Sequence, residues 1–121
     1  MSNRKLHFET IQIHGGYKVD ESLARGIAIH PTAAYHFTSC DYAANLFTLS
    51  EPGYIYTRLH NPTTAAYEER IAALYGGVGA LATSSGMSAI LLTITALAKA
   101  GDNIVASPYL YGGTHNQFVI S

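Results

Sequence analysis

Tryptophan is absent from the 121-residue chain, and cysteine occurs once, as Cys40. One thiol cannot close an internal disulfide, and nothing at metal-ligand spacing stands beside it, so a disulfide scaffold is excluded. With no activating base in view, Cys40 reads as a small half-buried thiol rather than a nucleophile. Charge is scarce: 12% of residues are charged, the formal net charge is -1, and the seven basic residues are scattered. That leaves no electrostatic footprint for nucleic acid or an acidic membrane surface. Long apolar runs are missing as well. The longest, Ile90 to Ala98, is interrupted by Thr93 and Thr95 and is too short to span a bilayer. The start, Met1 to Lys5, lacks the apolar centre of a signal peptide, and the chain reads as cytoplasmic. Neither a Gly-x-Gly-x-x-Gly run nor a Gly-Lys-Ser/Thr loop is present, which argues against an ordinary mononucleotide-binding domain. The six histidines are dispersed, with no His-x-x-x-His pair, so no metal site is expected.

What is there is apolar enough to fold. Hydrophobic residues make up 48% of the chain, far from the signature of disorder, and this length can bury one modest core. From Phe8 to Ala44 glycine pairs, Pro31 and short apolar runs show no sustained helical period, which suggests an extended arm. Asp41 to Leu49 can form a short helix with Asp41 as N-cap, ended by Pro52-Gly53. Asn61 can cap a helix opened by Pro62, with Tyr67, Ile71 and Leu74 as its apolar stripe and Gly76-Gly77 as its stop. Next come a strand over Gly79 to Thr83, a helix over Met87 to Lys99 and a strand over Asn103 to Ala106. These make a βαβ unit with parallel strands, not necessarily adjacent, and a right-handed crossover. The expected organisation is thus α/β: residues 1–60 form an arm with a short helix, and residues 61–121 begin an α/β domain. The apolar ending Phe118-Val119-Ile120-Ser121 is a poor way to close a domain, and an amino-terminal piece of a longer chain is expected.

Three segments carry chemistry. Ala82-Thr83-Ser84-Ser85-Gly86-Met87-Ser88-Ala89 joins the first expected strand to its helix through small residues. The leading N–H groups of a helix lack intrahelical partners and sit at the positive end of the macrodipole, so a phosphate can bind there without a basic side chain. The plainer alternative is an ordinary turn with serine as N-cap. The second segment is Tyr56-Thr57-Arg58-Leu59-His60-Asn61-Pro62-Thr63, and the third is Leu110-Tyr111-Gly112-Gly113-Thr114. Taken singly, Arg58 is a surface cation, Tyr56 a half-buried aromatic and Tyr111 a turn residue before a Gly-Gly bend.

In this order, the three segments resemble the pyridoxal-phosphate (PLP) enzymes of cysteine and methionine metabolism. The flanking words are most similar to O-acetylhomoserine sulfhydrylase: Thr10-Ile11-Gln12-Ile13-His14-Gly15-Gly16, Ala43-Ala44-Asn45-Leu46-Phe47, Gly101-Asp102-Asn103-Ile104-Val105 and Thr114-His115-Asn116-Gln117-Phe118. The resemblance implies the amino-terminal part of an aminotransferase-like fold type I domain, with pyridoxal 5'-phosphate as cofactor. It implies that the Gly86 and Met87 N–H groups, with Ser84 or Ser85, hold the cofactor phosphate. Tyr56 and Arg58 would reach the phosphate in an adjacent subunit, and Tyr111 would stack on the cofactor ring with its hydroxyl near the leaving group. The partners implied are an amino-acid substrate, sulfide or a thiol, and other copies of the chain in a homo-oligomer of at least two subunits. The implied reaction is γ-replacement on O-acetylhomoserine, giving homocysteine and acetate. A methionine γ-lyase or a cystathionine γ-synthase or lyase would share nearly all these residues, and an inactive truncated chain serving only in oligomerisation is the alternative outside enzymology. Such enzymes carry the cofactor on a lysine. Lys5, Lys18 and Lys99 are available, and none matches the family's position, so this stretch alone is expected to be inactive.

Overall fold

Asn61-Pro62 opens the longest helix, and the local chemistry is complete at both ends. In the computed structural model, which describes residues 6–120, helix α3 spans Pro62–Tyr75. The Asn61 side chain accepts the Thr63 N–H at 2.8 Å, and Gly76 closes the helix in the left-handed conformation at φ 65°. Proline at the first position gives up an N–H that has no intrahelical acceptor in any case. Of the expected stripe, Tyr67 is exposed, while Ala66 is the buried position. The small residue is the one buried because another backbone lies against it.

That backbone is the exit of helix α1, Phe8–His14, which packs on α3. Gly16 takes φ +69°, and a Cβ there would overlap the Ala66 carbonyl oxygen and lie 2.5 Å from the Arg70 amide nitrogen. The Arg70 guanidinium donates from Nε to the Gly15 carbonyl at 2.7 Å, and Lys18 pairs with Glu69 at 3.1 Å. The arm is therefore irregular but not wholly non-helical. It continues through a surface turn in which the Ser22 hydroxyl, and then the Ser22 N–H, hold the Asp20 carboxyl below its ordinary pKa.

Helix α2 spans Cys40–Phe47, and its N-cap is Ser39, which accepts the Tyr42 N–H at 3.1 Å. This corrects the expectation of Asp41, which sits inside the first turn, where a carboxylate complements the dipole. The helix ends at Thr48, before Pro52: Leu49 turns left-handed at φ 58°. Pro52-Gly53 instead covers Leu46, 1% exposed, with room for no more than a glycine, since a Cβ on Gly53 would stand 2.7 Å from Leu46 Cδ2. Cys40 is exposed rather than half-buried.

The described residues fall into two compact units, one running to Leu81 and the other beginning at Ala82. The second contains helix α4, Gly86–Leu97, and helix α5, Gly112–Ile120, which pack together. The crossover helix is thus present, one residue earlier at its start and two earlier at its end than expected. The flanking strands are not formed: residues 79–83 and 103–106 carry no ladder, and among the described residues the one bridge is antiparallel, Ala34 with Tyr56. Two strands that are not neighbours cannot pair with each other, and an isolated pair is marginal without further strands. Helix α5 was not anticipated, because Gly112-Gly113 reads as a bend.

Candidate functional site

The start of α4 is built from serines. Ser85 adopts an extended conformation as N-cap, and its hydroxyl accepts the Ser88 N–H at 3.1 Å. Its carbonyl accepts the Ala89 N–H at 3.0 Å, and Thr83 donates to that same oxygen at 2.9 Å. The hydroxyls of Ser84 and Ser85 lie 3.3 and 2.9 Å from that of Ser88. With the third N–H taken by the cap, the first two, of Gly86 and Met87, have no intrahelical acceptor. Nothing stands within 4 Å of where a Cβ on Gly86 would be. The serine cap thus consumes one donor and leaves two at the positive end of the helix, so capping leaves room for an anion there.

Tyr111 immediately precedes α5, and the packing of α5 on α4 brings it to the same end of α4. A Cβ on Gly113 would lie 2.7 Å from Tyr111 Cε1 and 3.4 Å from Met87 Sδ. The tyrosine ring and the methionine thioether thus both lie beside one glycine. Behind them the buried Thr114 hydroxyl lies 4.0 Å from Met87 Sδ, and Gln117 donates to the Met87 carbonyl at 3.4 Å. Thr114 and Gln117 lie outside the expected site residues. Their signal is the i, i+3 spacing after Tyr111, which has meaning only once this segment is helical. Tyr111 is 78% exposed, so its flat aromatic face is open to a ligand. The donor set at the start of α4 and this face suit a phosphate monoester attached to a planar ring.

Tyr56 and Arg58 belong to the first unit and meet there: the guanidinium carbon of Arg58 lies 5.4 Å from the centroid of the Tyr56 ring, a cation–π contact. The Tyr56 carbonyl accepts the N–H groups of Leu59 and His60 at 2.9 and 3.0 Å, so the two side chains project from one closed turn. Beside them is a hollow of about 450 Å3 lined by residues that include Phe37, Phe47 and Ile55. Among the described residues Arg58 has no carboxylate partner. His60 packs edge-on against Tyr54, which in turn stacks on Tyr35, a role in packing rather than ligation. No group of three potential metal ligands occurs among the described residues.

Residues 9–121 match the family of Cys/Met metabolism PLP-dependent enzymes. The chain is 53% identical over 116 residues to a homocysteine synthase of Schizosaccharomyces pombe and 53% identical over 117 residues to O-acetyl-L-homoserine sulfhydrylase 1 of Thermus thermophilus. These alignments take in 95% and 96% of this chain but 27% and 28% of the relatives, so the chain spans little more than a quarter of their length. Its backbone superimposes with a TM-score of 0.88 at 38% identity on a crystal structure from Campylobacter jejuni. That structure is described as a candidate O-acetylhomoserine (thiol)-lyase carrying N'-pyridoxyl-lysine-5'-monophosphate, and the match covers 93% of this chain and 28% of that one. The fold is that of the corresponding part of a fold type I PLP enzyme, and the chain belongs to the Cys/Met metabolism PLP-dependent enzyme family.

Proposed function

We propose that this chain supplies the phosphate-binding and ring-facing part of a PLP-dependent sulfhydrylase that converts O-acetylhomoserine and sulfide, or another thiol, to homocysteine, or its thioether, and acetate. The observation that carries the reading is that Tyr111 and Met87, in the first turn of α4, both lie beside Gly113. One element offers phosphate donors and the other a stacking face. Ser84 or Ser85 and the N–H groups of Gly86 and Met87 hold the phosphate. Tyr111 orients the ring from one face, with its hydroxyl toward the leaving group. When bound, the cofactor supplies an electron sink for proton loss at the substrate's α and β carbons.

Tyr56 and Arg58 complete the phosphate site of an adjacent subunit in a homo-oligomer. The exposure of Arg58 and its lack of a carboxylate partner among the described residues support this, since a guanidinium without such a pair is available for bidentate phosphate binding. Residues 1–60 serve as the arm that reaches that subunit, and residues 61–121 open the cofactor domain. Residues 79–83 and 103–106 are strands of its parallel sheet, paired by strands outside this sequence. Neither described lysine suits the cofactor-bearing role, and Lys5 lies outside the described residues: Lys18 pairs with Glu69. Lys99 lies beyond the far end of α4, roughly 18 Å from its first turn for a helix of this length. A cytoplasmic location fits, and no helix among the described residues is long and apolar enough to cross a membrane.

The test uses a full-length protein carrying this sequence, loaded with pyridoxal phosphate. O-acetylhomoserine should give homocysteine in proportion to added sulfide. Release of ammonia and a keto acid, indifferent to sulfide, would replace this reading with a γ-lyase.

A further inference from the structure

We propose that Asn61 is a positioning residue for the cofactor phosphate, holding the Tyr56–Arg58 turn at the angle from which the guanidinium is presented. This rests on the reading of Arg58 as a phosphate ligand. Asn61 is 4% exposed, and its side chain is fully engaged. Oδ1 accepts the Thr63 N–H at 2.8 Å, while Nδ2 donates to the His30 carbonyl at 3.0 Å and to the Thr57 hydroxyl at 3.0 Å. The first bond is an ordinary helix cap. The other two are not needed for capping, and they tie three segments together.

Thr57 lies between Tyr56 and Arg58. Its hydroxyl passes the connection on to the Thr32 carbonyl, and its N–H donates to the Ala33 carbonyl at 2.9 Å. Tyr35 N–H donates back to the Ile55 carbonyl at 3.3 Å, and the bridge of Ala34 with Tyr56 sits between. Thr63 seals the other side, accepting the His30 N–H at 2.9 Å and donating to the Ala28 carbonyl at 3.2 Å. Arg58 therefore projects from a turn clamped to arm residues 28–35 on one side and to the first turn of α3 on the other. Among the described residues Asn61 is the one buried side chain touching both. A long, flexible cation loses less freedom on binding when the backbone beneath it is already fixed.

The substitution Asn61→Asp keeps an acceptor for the cap and removes both Nδ2 donations. Thr57→Val breaks the same chain without altering the cap or adding charge. In the full-length enzyme each should weaken pyridoxal phosphate binding, by roughly five- to tenfold for Asn61→Asp, the scale of one or two lost hydrogen bonds. Binding of pyridoxal, which lacks the phosphate, should stay unchanged, and neither substitution should weaken binding further in an Arg58→Ala background. Equal loss for both ligands, or an undiminished effect beside Arg58→Ala, would reduce Asn61 to general stability and overturn the proposal. An effect of Asn61→Asp that Thr57→Val does not share belongs to the new carboxylate and overturns it too. If Arg58→Ala weakens pyridoxal phosphate binding while Asn61→Asp and Thr57→Val do not, the positioning role fails and the phosphate reading stands. If Arg58→Ala itself changes nothing, the phosphate reading has failed. Should Asn61→Asp not fold, Thr57→Val decides alone.

Discussion

The hydroxyl of Tyr111 has no hydrogen-bond partner among the described residues, and its ring is largely in the open. Its removal therefore costs the fold almost nothing. In the full-length enzyme Tyr111→Phe should leave the unfolding midpoint within the scatter expected of a surface change, about 0.5 kcal/mol, while lowering turnover at least tenfold in a steady-state assay. Gly113→Ala separates position from chemistry at the same residue. The new methyl group would collide with the ring edge at 2.7 Å, and an exposed ring relieves that by swinging away. Turnover should fall with the hydroxyl still in place, and near-ultraviolet circular dichroism should register the altered ring environment. The sequence singles out the Tyr-Gly-Gly-Thr word but not the packing at its second glycine, where the Tyr111 ring is brought back over its own helix.

Elements with local instructions were read closely, and those held by distant partners were missed. Helix α3 has its cap, its first proline and its terminal glycine all within the segment, so it could be placed from sequence to the residue. Helix α1 has no side-chain cap, and its N-cap is His7. It exists because α3 lies against it, a contact joining residues more than fifty positions apart. Helix α5 begins with two glycines, the poorest helix formers after proline, and packing on α4 outweighs that preference. The segments flanking α4 show the limit of pattern alone: residues 79–83 and 103–106 were expected as strands, and they carry no ladder. The junction of α1 and α3 is correspondingly fragile at Gly16, where a side chain would meet backbone on both sides and the torsion is left-handed. Gly16→Ala should destabilise the protein by about 1–3 kcal/mol, and amide exchange should show the loss first in residues 8–14.

At the scale of the whole molecule, the distribution of apolar surface is unusual. Leu46 and Ala66 are the buried hydrophobic residues among those described, whereas Leu97, Leu81 and Val105 are exposed at 81%, 77% and 99%. Helix α4 is mostly apolar, with Ser88, Thr93 and Thr95 its only hydroxyl residues, and it buries none of its side chains fully, a pattern suited to a helix with further partners. The 121-residue chain on its own should therefore bind an apolar fluorescent dye strongly, and that fluorescence should fall when the remainder of the protein is supplied. Persistent dye binding in the full-length protein would mean that this surface faces outward for another purpose.

The proposed phosphate donors are divided between the two units. Ser85, Gly86 and Met87 lie in one unit, and Tyr56 with Arg58 in the other. If both groups grip one phosphate, as proposed, and come from different copies of the chain, cofactor retention follows mass action between subunits as well as between protein and cofactor. A preparation that is saturated when concentrated would then shed pyridoxal phosphate on dilution, losing activity per molecule with no chemical damage and recovering it on reconcentration with cofactor present.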